Sequence, residues 1–76
     1  MNTAAPTPRL LDAVALLVDR PTDGLVRGQV GTIVEDWNDA TFEVEFIDEA
    51  DGSTFALVTI PGDQIMALRY KRAKVA

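Results

Sequence analysis

One seven-residue segment constrains the fold of this chain more than any other, because apolar and acidic side chains alternate through its five central residues. It spans residues 41–47, in which Phe42, Val44 and Phe46 alternate with Glu43 and Glu45. Side chains of an extended strand point to opposite faces in turn, so the apolar set shares one face and the acidic set the other. The segment therefore predicts a strand in a sheet that has one buried and one hydrated face.

Four further segments have strand-like composition, with alternating or β-branched apolar residues. They are residues 12–19, 29–37, 53–60 and 65–68. Turn-forming residues separate these strands, and residues 61–64 predict a single helical turn before the last one. The pattern predicts an all-β fold, namely a small and strongly bent five-stranded antiparallel barrel.

The length and composition of the chain predict a single domain. Its 76 residues are too few for a second one, and without Cys or His it has neither a disulfide nor a zinc site to stabilise a small core. We expect residues 1–9 to form a disordered leader, residues 10–69 the barrel and residues 70–76 a basic tail. No apolar run is long enough to cross a bilayer, and the lack of thiols suits a reducing compartment, so we expect a cytoplasmic protein without cofactors.

Charge is segregated along the chain, whose formal net charge is −5. Residues 28–68 include no Lys or Arg. The same stretch has nine acidic residues: Glu35, Asp36, Asp39, Glu43, Glu45, Asp48, Glu49, Asp51 and Asp63. Basic residues follow together in the stretch 69–74. An anionic centre favours a protein partner with a basic surface and disfavours nucleic acid, whose phosphates it repels.

Glycines in the chain are interpreted as backbone devices rather than as ligand-binding residues. The positions concerned are Gly24, Gly28, Gly31 and Gly52. Gly31 interrupts a β-branched run, which predicts a bulge or a close backbone approach. Gly52 ends the turn 48–52, where a left-handed conformation is expected. A phosphate-binding loop is excluded, because the glycines are not followed by a lysine and a helix in the required pattern.

Two runs of residues resemble the KOW motif, a glycine-centred two-strand unit of SH3-like barrels in ribosomal proteins and transcription elongation factors. They are RGQVGTIV at residues 27–34 and FEVEF at residues 42–46. Residues 10–68 as a whole are similar to a family of short bacterial proteins of unknown function, through LDAVAL, GLVRG, GTIVE, VTI and DQI. This resemblance implies an SH3-like barrel. For function it implies little beyond the placement of related genes beside toxin-like or nuclease-like genes.

The sequence departs from KOW domains that hold RNA. Such domains surround the glycine loop with basic and aromatic side chains, because affinity for nucleic acid depends on neutralising phosphates. Arg27 is the only base near that loop here. A nucleic-acid-binding module that uses Arg27, Trp37 and the basic stretch 69–74 is therefore kept only as an alternative.

Catalytic residue types are nearly absent. Glu43 and Glu45 lie on one strand face, as an acid/base pair would, but the sequence favours a solvated polar face that keeps the strand from pairing with other strands. Ser53 is the only serine, and the chain has no His to activate it. We therefore expect a protein that is not an enzyme.

A metal site is a second alternative. The hairpin residues Asp48, Glu49 and Asp51 are predicted to bind calcium if neighbouring strands supply more oxygens. Their spacing does not match the EF-hand pattern, because no bidentate Glu closes the loop. An acidic hairpin tip that owes its residues to turn propensity is the competing interpretation.

The composition favours protein–protein interaction, with an antitoxin-like or immunity-like role in which the acidic surface covers a basic site. Candidate partner-binding residues are Trp37, Glu43 and Glu45. Trp37 is either such an anchor or a cap over one end of the barrel. Residues 53–60 are apolar on both faces, so we expect this strand to be covered on two sides or to form an interface, including one between copies of the chain.

Overall fold

The computed structural model describes residues 7–69 as an all-β fold. Its five strands are β1 (Ala13–Leu16), β2 (Val30–Asp36), β3 (Thr41–Ile47), β4 (Thr54–Pro61) and β5 (Ile65–Ala67). They form one antiparallel sheet in the spatial order β4-β3-β2-β1-β5. The expected leader and tail lie largely outside the described residues, and residues 7–9 have no regular structure.

Strand β3 has the predicted bounds, whereas β1 is shorter than the predicted segment 12–19. The chain leaves β1 because Arg20 and Leu25 form an isolated bridge that closes a 3₁₀ turn, Pro21–Asp23. A second 3₁₀ turn, Gly62–Gln64, precedes β5 and confirms the predicted helical turn. Proline at the start of the first turn suits its fixed φ angle.

The core lies on one face of the sheet, here called the inner face. Its members are Val14, Leu16, Leu25, Ile33, Phe42, Val44, Phe46, Ile60 and Ile65. The predicted alternation in β3 is confirmed, because its apolar side chains are all buried while its glutamates are only half-buried. The two faces of β3 therefore divide the core from the hydrated surface.

The sheet has two edge strands, β4 and β5, which are not hydrogen-bonded to each other within residues 7–69. Of the two expectations for β4, cover on both faces is not met within residues 7–69, and a place at an interface stays a prediction. Leu57 on its outer face is 56% exposed, and Phe55 at the shift in the β3–β4 register is 48% exposed. As an edge strand, β4 has a neighbour on one side only, and no other described element packs over its outer face.

Gly31 marks a close approach and not a bulge. A Cβ atom at this position would lie 2.7 Å from Cγ1 of Val44 and 2.8 Å from the carbonyl oxygen of Glu45. The bulge of β2 comes instead at Val34, where the pairing with β3 shifts between Ile33 and Glu35. The predicted left-handed conformation of Gly52 is confirmed by its φ of 74°. Gly24 and Gly28 have positive φ angles as well.

Candidate protein-binding face

Three glutamates lie together on the outer face of β2 and β3, and we call Glu35, Glu43 and Glu45 the acidic face. Glu35 stands directly opposite Glu43 in the β2–β3 ladder, and Glu45 follows two residues along β3 on the same side. The bulge at Val34 creates this arrangement. A regular ladder beyond Ile33 would place Val34 opposite Glu43 and turn Glu35 toward the core, because one residue of slippage reverses the faces.

Hydrogen bonds from neutral groups orient the carboxylates of β3. Oε1 of Glu43 accepts a hydrogen bond from the Thr59 hydroxyl at 2.5 Å and a longer one from the Trp37 indole N–H at 3.4 Å. Oε2 of Glu45 accepts one from the Thr54 hydroxyl at 2.5 Å. These donors position the carboxylates without neutralising their charge, so the acidic face keeps its negative potential.

No cation within residues 7–69 forms an ion pair with the acidic face. The salt bridge of this part of the chain joins Nε of Arg20 to Asp23 at 2.8 Å, and the same guanidinium donates to the side chain of Gln64. Arg20 therefore holds the first 3₁₀ turn next to the second and leaves the outer face of the sheet anionic.

Exposed apolar side chains border the acidic face. Trp37 is 51% exposed and does not belong to the buried core, and its indole N–H points to Glu43. On the other side, the half-exposed Leu57 stands opposite Glu45 in the β3–β4 ladder. A tryptophan and a leucine beside carboxylates combine apolar contact area with charge, as binding sites for proteins do.

The predicted calcium ligands build the β3–β4 turn. Oδ1 of Asp48 accepts a hydrogen bond from the Ala50 N–H at 2.8 Å, and Oδ1 of Asp51 accepts one from the Ser53 N–H at 2.9 Å. Within residues 7–69, no three acidic side chains converge closely enough to hold a metal ion, and this includes Asp48, Glu49 and Asp51. These aspartates act as turn-forming residues whose side chains bond to the backbone two positions ahead.

Two open grooves adjoin the sheet. One lies between the β2–β3 loop, the end of β4 and the second 3₁₀ turn, and its lining is mainly apolar. The other is lined by Val30, Ile47 and Phe55 with Asp48 and Glu49 at its rim. The acidic hairpin tip thus borders a second apolar surface in addition to the one around Trp37.

A family model, described as a domain of unknown function (DUF4926), matches residues 10–67. The chain belongs to the DUF4926 family. The matched residues include all five strands of this DUF4926 domain and therefore the whole acidic face. No curated protein and no solved structure matches the chain. Within residues 7–69, none of the helical segments has the length and apolar composition needed to span a membrane.

Sequence reasoning identified Trp37, Glu43 and Glu45 but did not assign Glu35 or Leu57 to the same site. Both depend on which residues stand opposite one another in the ladders of the DUF4926 sheet. The position of Glu35 on the acidic face depends on the bulge at Val34, and the position of Leu57 beside it depends on the β3–β4 register. The alternation of residues 41–47 was the one local sequence signal for this site. It shows which side chains of β3 share a face, but not which residues of β2 and β4 lie beside them.

Hydroxyl groups lower the pKa of two turn aspartates. The pKa of Asp51 lies below its ordinary value of 3.8, mainly because the Ser53 hydroxyl donates to its carboxylate. The Thr41 hydroxyl lowers the pKa of Asp39 in the same way. An aspartate whose pKa is lowered by folding stabilises the folded state at pH values above its ordinary pKa. This contribution is lost as the pH falls through the folded-state pKa.

Replacing Ser53 with alanine should raise the pKa of Asp51 toward 3.8, because the largest cause of its lowering is removed. The carboxyl titration of each aspartate, followed by NMR, measures this shift. Asp39 serves as the internal control, since its partner Thr41 is untouched. An Asp51 midpoint that stays in place after the substitution would show that the hydroxyl does not set it.

Proposed function

We propose that this DUF4926 domain is a non-enzymatic module that binds a protein partner through its acidic face. The observation that carries the proposal is the set of three carboxylates on one side of the sheet, which form no ion pair within residues 7–69. Neutral donors orient two of them, those of Glu43 and Glu45. Oriented charges without an ion pair among residues 7–69 favour an oppositely charged partner protein. The partner surface is accordingly basic.

The fold in this proposal is a small SH3-like barrel with a KOW-like glycine at Gly31. Support comes from the order of the five antiparallel strands, the core on one face and the 3₁₀ turn that joins β4 to β5. Gly31 allows β2 to pack tightly against β3. Such packing favours the strong bend that a small barrel needs.

An antitoxin-like or immunity-like role fits this surface chemistry. A toxin or nuclease that binds nucleic acid has a basic site for phosphates, and carboxylates at neighbouring sheet positions compete for the same cations. Trp37 and Leu57 add apolar contacts that phosphate backbones do not make. The acidic face repels nucleic acid itself, so the domain blocks the partner's site without binding its substrate.

Reversing two charges on the face is the direct test. The double variant Glu43→Lys with Glu45→Lys should weaken partner binding roughly tenfold or more, because it replaces attraction by repulsion at the contact. Binding is measured by affinity capture from the native host at moderate salt, followed by titration of the captured protein. For the unmodified chain, the affinity should also fall as salt concentration rises.

The matched control makes the same charge change away from the face. Asp48→Lys with Glu49→Lys alters the β3–β4 hairpin loop and should retain most of the binding. Thermal unfolding of both variants tests whether the sheet stays intact. This check is needed because Glu43 and Glu45 accept hydrogen bonds from threonines of β4, which the lysines would remove. Equal binding by the unmodified chain and the Glu43/Glu45 variant would overturn the proposal.

A further inference from the structure

We propose that two copies of this chain associate by antiparallel pairing of their β4 edges, with the two-fold axis at Val58. The two sheets then join into one continuous sheet, and the acidic faces remain accessible on either side of the junction. This inference concerns the free edge of β4, which shares Leu57 with the proposed partner-binding surface, and its argument does not depend on the proposed function.

Within residues 7–69, β4 has no strand paired to the edge that faces away from β3, and this open edge presents the backbone groups of Leu57 and Thr59. The Gly62 N–H donates to the carbonyl of Ala40, and bonded pairs alternate along an antiparallel ladder. Val58 and its neighbours at even positions therefore turn their backbone groups toward β3. Leu57 and Thr59 turn theirs away from β3, and Pro61, which has no N–H, ends the open edge.

A two-fold axis at Val58 makes this edge complementary to itself. Leu57 then stands opposite Thr59 of the second copy and Thr59 opposite its Leu57, so each outward N–H meets an outward carbonyl. Phe55 stands near Pro61 of the second copy at both ends of the contact. Because Phe55 is the extra residue where the β3–β4 register shifts, the paired segment is short and centres on Val58.

Strand β4 lacks the charged side chains that protect many edge strands, and its bulge at Phe55 and its proline, Pro61, lie toward its two ends. None of residues 54–61 is charged. Leu57 is 56% exposed on the outer face, while Ala56 and Val58 on the inner face pack against the core and are still only partly buried. Pairing with a second copy covers the exposed side chains on both faces of β4. Val58 contacts Val58 of the second copy directly across the axis, and Leu57 contacts Leu57 of the second copy diagonally.

Like charges do not prevent this association. The carboxylates of Glu43 and Glu45 lie on β3, one strand away from the open edge. Three strand spacings separate the two β3 strands in the pair, a distance of about 14 Å. This exceeds the screening length of about 8 Å at physiological ionic strength. Higher salt should therefore strengthen the pair slightly, whereas it weakens the binding of a basic partner.

Sedimentation equilibrium of the full chain tests the association. We expect the average mass to rise with concentration from that of one chain toward that of two. Leu57→Lys should weaken the association by about tenfold or more, because it places a charge on the edge of each copy. Val26→Lys is the matched control, since Val26 is 61% exposed in the β1–β2 connection and lies outside the sheet.

Cross-linking tests the register. The chain has no Cys, so Val58→Cys introduces a single thiol, and the proposed axis brings the two Cα atoms to about 4.5 Å, within disulfide range. Oxidation should yield a disulfide dimer from Val58→Cys and much less from Val26→Cys. A chain that remains monomeric at every concentration, or a Val58→Cys variant that cross-links no faster than the Val26→Cys control, would overturn the proposal.

Discussion

Replacing Gly31 with alanine is expected to lower the free energy of unfolding by about 3 kcal/mol, because the added methyl group overpacks the β2–β3 contact. Its Cβ would lie 2.7 Å from a methyl group of Val44 and 2.8 Å from the backbone oxygen of Glu45. The side chain can adjust, but the carbonyl belongs to the ladder and cannot move without breaking it. Urea denaturation measures the change.

A different glycine provides the control for this prediction. In Gly52→Ala the added Cβ would face open space, but the backbone would keep its left-handed φ of 74°. We therefore expect the free energy of unfolding to fall by about 1 kcal/mol from backbone strain alone. The total stability of a domain of this size is only about 4–11 kcal/mol, which makes the Gly31 effect a large fraction of it. If Gly52→Ala were the more destabilising change, the close approach at Gly31 would not limit stability.

Replacing Phe46 with alanine should cost about 4 kcal/mol and leave the domain close to unfolding at ordinary temperatures. The Phe46 side chain is fully buried in the centre of the core, where its removal creates a cavity that the short strands cannot close. Thermal and urea unfolding, monitored by circular dichroism, measure the loss. The experiment is done at low concentration so that association of copies does not contribute.

Phe55 offers a matched comparison for that change. Its ring centre lies 6.4 Å from that of Phe46, yet the residue is 48% exposed. Phe55→Ala removes the same atoms from a half-exposed site and should cost about 1–2 kcal/mol. Similar losses for the two variants would mean that the core is looser than its burial indicates.

The sequence was sufficient for those features that depend on neighbours in the chain. The alternation in residues 41–47 predicted both faces of β3, and the turn residues 61–64 predicted the 3₁₀ turn before β5. β4 was harder, because a strand with two apolar faces has the same pattern whether it is covered or lies at an edge. Its place is decided by the order of the strands in the sheet, which local periodicity does not report.

The candidate site was predictable only in part for a related reason. Glu43 and Glu45 share a face by periodicity alone, but Glu35 joins them through a bulge. At Gly31 the sequence predicted either a bulge or a close backbone approach, because glycine is common at both. In the structure, Gly31 serves the tight packing of two strands, and the bulge falls on Val34, a residue whose type gives no sign of it.

The bulge at Val34 also bears on how such a surface can arise and disappear in evolution. Whether Glu35 points outward depends on the number of residues between it and Ile33 and not on a change of amino-acid type. Loss of one residue from β2 would remove a charge from the surface while leaving the acidic content of the chain intact. Two chains with the same net charge and similar composition can therefore differ in which partners they bind, and strand alignment, more than charge counting, distinguishes them.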